Sequence, residues 1–86
     1  MSSKRSKLEI YIDVLKVIKK GTCRPTRIMY GTNLSWKPLM DILDSLNAQG
    51  LIMVKKDRNH KFYEITEKGK NVLKYFSKAM ESIEVT

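Results

Sequence analysis

Eight of the eleven residues from Leu8 to Ile18 are apolar, interrupted only by Glu9, Asp13 and Lys16. One face of a surface helix needs an apolar stripe of only roughly 100°. This stretch must therefore be covered on most of its circumference, by a long C-terminal helix or by another subunit. Ser6-Lys7-Leu8-Glu9 reads as a capping box that starts the helix, and Lys16, Lys19 and Lys20 suit its negative end before a stop at Gly21. Thr22-Cys23-Arg24 leaves room for a stub of strand, and Pro25 suits the first turn of a second short helix carrying Arg27 to Tyr30. Gly31 is expected to end that helix, with Thr32-Asn33-Leu34 as a tight connection and Ser35 as the N-cap of a third.

In the third helix Leu39, Ile42, Leu43 and Leu46 fall at i, i+3, i+4 and i+7, and Gly50 closes it. The period then shortens to that of strands. Leu51 to Lys55 and Lys61 to Ile65 are β-rich runs joined by the polar turn Lys56-Asp57-Arg58-Asn59-His60, which predicts a hairpin. Thr66 can cap a last helix from Glu67 towards Val85. Tyr30 and Leu34 are assigned to the core with the apolar residues of the third helix.

A chain of 86 residues buries too little surface to spare a roomy catalytic cleft, so a compact binding module is expected. One cysteine, Cys23, and one histidine, His60, exclude an internal disulfide and a Cys/His zinc site, and leave Cys/His or Ser/His/Asp catalysis only if His60 stands beside a nucleophile, whereas its neighbours Arg58, Asn59 and Lys61 read as a solvated turn. Cys23 is read as a small half-buried residue. The reading is of a protein without enzymatic activity, cofactor, metal or evident small-molecule ligand. No apolar run approaches the roughly 18 residues that cross a bilayer, and the N-terminus lacks the apolar core of a signal peptide, so no membrane association and a cytoplasmic, nucleoid-associated location are expected. Charge sharpens the picture: 17 Lys and Arg against 9 Asp and Glu give +8, a field that attracts polyanions, of which nucleic acids are the commonest in a cell.

Helix, stub strand, helix, tight turn, helix, hairpin and final helix is the order of a winged helix-turn-helix, an α+β, mostly α fold in which the hairpin forms the wing. Residues 1–66 are expected to form the winged-helix part with a basic N-terminal arm, and 67–86 a C-terminal dimerisation helix on the same structural domain. The run from Thr26 to Trp36, preceded by Ser6-Lys7-Leu8-Glu9-Ile10 and followed by Tyr63-Glu64-Ile65-Thr66-Glu67-Lys68-Gly69, resembles the small archaeal winged-helix DNA-binding proteins of the 10a chromatin-associated class. The resemblance runs from about Lys4 to Lys78. It implies an archaeal source, binding of double-stranded DNA without catalysis, and a homodimer held by antiparallel pairing of C-terminal helices.

The basic excess over the arm (Lys4, Arg5, Lys7), Arg24 with Arg27, and the wing from Lys55 to Lys61 equals the whole net charge of +8. Phosphate contacts dominate affinity in such modules, so Lys4, Arg5 and Lys7, with Lys55, Lys56, Arg58 and Lys61, are the candidate backbone clamps. The face of the third helix opposite its apolar stripe carries Lys37, Asp41, Asp44 and Ala48, and two carboxylates there oppose phosphates. Asp41 is expected to pair with Lys37 at i, i+4. Base-edge contacts are therefore expected from the N-terminal end: Thr32, Asn33, Ser35, Trp36 and Lys37. Trp36 either packs under the turn or touches DNA, and Arg27 either binds phosphate or pairs with a carboxylate such as Asp41. The competing function is a winged-helix protein-interaction module whose Asp41/Asp44 face binds a basic partner. In the last helix Val72, Phe76, Ala79 and Ile83 form a short a/d seam, widened by Leu73 and Met80, which with Tyr11 is the candidate dimer interface.

Overall fold

In the computed structural model, which describes residues 6–83 with side chains through Ala79, the first helix begins at the capping box. The Ser6 hydroxyl accepts from the Glu9 amide at 3.1 Å, and the Glu9 carboxylate accepts from the Ser6 amide at 2.8 Å. Helix α1 spans Lys7–Lys19, and its chain turns away at Gly21, whose φ of 106° favours glycine. Ile12, Val14, Leu15 and Ile18 are buried, while Ile10, Tyr11 and Val17 pack half-covered against the same core.

Helix α2 spans Pro25–Thr32. The expected stub strand before it is reduced to a single backbone hydrogen bond, the Tyr63 amide donating to the Cys23 carbonyl at 2.9 Å, because only three residues separate Gly21 from Pro25. Gly31 does not end α2; the helix continues to Thr32 and closes at Asn33, which takes the left-handed conformation (φ 59°) that asparagine tolerates. Gly31 serves packing instead, since a Cβ there would lie 3.2 Å from Val17 Cγ1 of α1. Tyr30, expected in the core, is 78% exposed. Ile28 and Thr32 set the buried face, and Tyr30 lies two residues, about 200°, from each.

Helix α3 spans Trp36–Ala48 and buries Leu39, Ile42, Leu43 and Leu46 as their spacing predicts. Ser35 occupies the N-cap position but its hydroxyl makes no capping bond. The usual donor is the amide three residues on, and that residue is Pro38, which has none.

Strands β1 (Ile52–Asp57) and β2 (His60–Ile65) pair antiparallel, with Ile52 opposite Ile65 and Val54 opposite Tyr63 on the core side. The turn is tighter than expected. Lys56, Asp57 and His60 belong to the ladder, leaving a loop of Arg58 and Asn59 alone. Helix α4 (Glu67–Ile83) starts at Thr66, whose hydroxyl accepts from the Gly69 amide at 3.0 Å.

The junction between α3 and β1 is locked to the start of α4. Carbonyls past a helix end need outside donors. Here three consecutive carbonyls find them: Lys68 Nζ reaches Gln49 O at 2.9 Å, Thr66 Oγ1 reaches Gly50 O at 2.6 Å and the Thr66 amide reaches Leu51 O at 3.1 Å. Gly69 is buried there, and a Cβ on it would collide with the Leu51 carbonyl oxygen and stand 2.7 Å from Ile65 Cγ1. Helix α4 is thereby held against the root of the hairpin, and Leu73 enters the core beside α1.

Candidate nucleic-acid interface

The turn between α2 and α3 presents Asn33, Ser35, Trp36 and Lys37 to solvent. Trp36 is 49% exposed, so it is not packed away beneath the turn. Thr32, expected among the base-reading residues, is withdrawn: it is buried and its hydroxyl donates to the Ile28 carbonyl at 2.7 Å. A threonine four residues after a core isoleucine lies on the core face of its helix, where a hydroxyl needs an internal acceptor.

Along α3, Lys37, Asp41, Asp44 and Ala48 all face solvent. Lys37 Nζ stands 3.7 Å from Asp41 Oδ2, the expected i, i+4 pair, with both side chains largely exposed and so weakly coupled. Among the described residues Arg27 forms no ion pair with Asp41 or another carboxylate and remains exposed beside Gly21, Thr22, Cys23 and Arg24. Asp44 lies close enough to the wing root to act on Tyr63. Burial pushes the Tyr63 phenol up from its ordinary value, and the Asp44 charge adds to the same direction, so the phenol stays neutral at physiological pH.

At the wing, Lys56 and Lys61 are directly opposite one another, a like-charge pairing that weakens a hairpin. Arg58 at the tip holds φ at 60°, a left-handed conformation costing about 1 kcal/mol for a residue with a Cβ. Glycine would be the cheaper residue at that corner, and an arginine occupies it. Lys55 is partly neutralised by Glu64, 3.1 Å away.

Lys7, in the first turn of α1, borders a hollow shared with Ile10, Tyr11, Pro38, Asp41 and Ile42, so the start of the arm lies beside the first turns of α3. Lys4 and Arg5 lie outside the described residues, as do the side chains of Met80 and Ile83. Val72, Phe76, Ala79 and Tyr11 are half-buried.

Three features escaped the sequence reading. Arg24 packs its guanidinium 5.5 Å from the Phe62 ring centroid, tying the start of α2 to the wing. Tyr30 stands exposed on α2, as its offset from Ile28 and Thr32 signals. Lys16, Lys19 and Lys20, credited only to the α1 dipole, converge with Lys70, Lys74 and Lys78 of α4 around a groove of about 720 Å³. The four-residue spacing of the last three was the available signal.

Among the described residues no cluster of His, Cys, Asp or Glu could hold a metal ion, and no helix is long and apolar enough to cross a membrane.

A model of the winged helix-turn-helix family matches residues 4–84. The chain belongs to that family. It is 37% identical over 82 residues to an uncharacterized protein of the archaeon Methanocaldococcus jannaschii, covering 95% of this chain and 77% of the relative. Among solved structures it is similar to Sso10a-2, a DNA-binding protein from Sulfolobus solfataricus, at 33% identity and a TM-score of 0.76, over 92% of this chain and 85% of that one. That likeness bears out the resemblance to the archaeal 10a class. The transcriptional regulator BldR from Sulfolobus solfataricus shares the fold, with a TM-score of 0.77 at 19% identity, over 86% of this winged helix-turn-helix chain and 55% of BldR.

Proposed function

We propose that this chain binds double-stranded DNA, without a catalytic step, as a homodimeric archaeal chromatin-associated protein or local transcriptional regulator. The carrying observation is the wing tip. A left-handed Arg58 and the facing pair Lys56 and Lys61 each lower the stability of the hairpin, and both make sense where a phosphate backbone takes up the charge. Residues 1–66 face the DNA in this reading, and residues 67–86 join two chains. The similarity to Sso10a-2, itself a DNA-binding protein, supports the assignment.

In the bound state Asn33 and Ser35 of the turn, with Trp36 and Lys37 of the first turn of α3, reach base edges. Arg27, Lys56, Arg58 and Lys61, with Lys4, Arg5 and Lys7 of the arm, hold phosphates. Lys55 contributes less, since Glu64 already shares its charge. Asp41 and Asp44 keep the middle of α3 from close approach to the backbone, so discrimination among sequences is modest.

Titrating a random labelled duplex at several salt concentrations tests the reading by fluorescence anisotropy. Affinity should fall steeply with salt, and the paired changes Arg58→Ala and Lys61→Ala should reduce the log-log slope by about two units. Equal slopes would remove the wing from the mechanism, and absence of binding at low salt would end the DNA assignment.

The dimer rests on α4. Tyr75 is 72% exposed and meets Phe76 edge-on at 5.9 Å, while Val72, Phe76 and Ala79 are only half-covered by their own chain. Leu73 does not widen this seam, being buried in the core. Phe76→Asp should yield monomers in sedimentation velocity; a persisting dimer would refute pairing through this face.

A further inference from the structure

We infer that the groove between the C-terminal half of α1 and the polar side of α4 is a second binding surface for the phosphate backbone of duplex DNA, separate from the helix-turn-helix and wing. This rests on the proposed function for the nature of the ligand, and on a different set of residues for the site. Lys16, Lys19 and Lys20 of α1 and Lys70, Lys74 and Lys78 of α4 line it, with Leu73 in its wall.

The lysines are not explained by internal pairing. Among the described residues only Lys70 of the six has a carboxylate within 4 Å, Glu67 at 3.8 Å. Lys70, Lys74 and Lys78 repeat at i, i+4 and i+8, so like charges stack along one ridge of α4, which disfavours the helix in isolation. A dipole argument covers Lys16 and Lys19 in the last turn of α1 but not the α4 row. A polyanion lying in the groove turns all six into favourable contacts.

The position sets this surface apart from the first one. Val17 of α1 meets Gly31 of α2 on one side, and Lys19, two residues on and about 200° around the helix, lines the groove. The hollow beside α3 involves Lys7 and Tyr11, at the opposite end of α1 from Lys19 and Lys20. Lys74 is likewise two residues from both Val72 and Phe76, so pairing through the apolar seam leaves the groove open.

The lining chooses among anions. It contains no aromatic side chain on which the bases of a single strand would stack. It is an open trough walled by flexible ammonium-bearing chains, where a small ligand would call for an enclosed pocket with a few fixed polar groups. Lysine point charges along two helices suit a run of phosphates.

Lysine footprinting by acetylation and mass spectrometry tests the inference on the full chain, with and without a short random duplex at the same protein concentration. Duplex should suppress acetylation of Lys56 and Lys61 at the wing and also of the groove lysines. Groove protection should persist in the Arg58→Ala/Lys61→Ala protein. In the Lys16→Gln/Lys74→Gln protein, protection should be lost at Lys19, Lys20, Lys70 and Lys78 and retained at Lys56 and Lys61. Wing protection with groove lysines as reactive as in free protein would overturn the second surface and leave the proposed function standing. Protection at neither place would overturn both. Groove protection that vanishes with the wing substitutions would make it a consequence of wing docking, and protection by tripolyphosphate or a single strand but not by duplex would assign the groove to another anion; either result overturns the inference.

Discussion

The two basic surfaces of this molecule handle charge in opposite ways. Around the wing and α3, positive groups stand beside acids: Lys55 lies 3.1 Å from Glu64 and Lys37 lies 3.7 Å from Asp41. In the α1 and α4 groove, among the described residues, one of six lysines, Lys70, has a carboxylate within 4 Å, Glu67. Summing charge along the chain points to the arm, the start of α2 and the wing, because the other eight lysines are matched by eight acids elsewhere in the sequence, Asp41, Asp44 and Glu64 among them. Asp41 and Asp44 lie on α3 and Glu64 on β2, away from the groove, so a sum that comes to zero along the chain still leaves a basic face between α1 and α4.

Changes that separate or rebalance the two surfaces test this contrast. The largest effect is expected from Gly69→Ala, which places a methyl group against the Leu51 carbonyl and forces α4 off the hairpin root. Stability in urea should fall by about 2 kcal/mol or more, since backbone cannot move aside as a side chain can. A wild-type midpoint would mean that α4 and the wing are not rigidly coupled.

Thr32→Val is expected to remove about 1 kcal/mol by deleting the bond from its hydroxyl to Ile28 O. Duplex affinity should stay unchanged, because the side chain is buried. A matching loss of affinity in anisotropy, at full folding, would restore Thr32 to the interface. The smallest effect belongs to Glu64→Gln, which releases Lys55. The salt dependence of duplex binding should steepen by up to about one unit; a flatter slope would show that Glu64 positions Lys55 for contact instead of competing for it.

Much of the architecture was legible from local signals. The Ser6 capping box, the buried set on α3, Gly50 after it, the Thr66 cap and the order of elements all follow from patterns within a few residues. Misreadings arose where one local rule overrode another. Pro38 removes the amide that Ser35 would cap, and Asn33 serves as the left-handed terminator in place of Gly31. Arg58 accepts a positive φ without glycine, which shortens the turn to two residues. Tyr30 was counted as core for its chemistry, although its spacing from Ile28 places it outside. The candidate interface was legible as a list of exposed basic residues on turn and wing; which of them are neutralised, as Lys55 is by Glu64, required the strand register.

By itself the sequence determined the helices, the caps at Ser6 and Thr66, the hairpin and the sign of the overall field, because capping, periodicity and charge act between residues close in the chain. Tertiary structure decided what distant segments do together. It set Thr66 and Lys68 against the carbonyls of Gln49, Gly50 and Leu51, made Gly69 indispensable at that contact, and gathered lysines from α1 and α4 into one groove. Such juxtapositions depend on how the helices dock, and docking is governed by the summed burial of Leu15, Ile18, Leu73 and their neighbours, to which surface lysines add little.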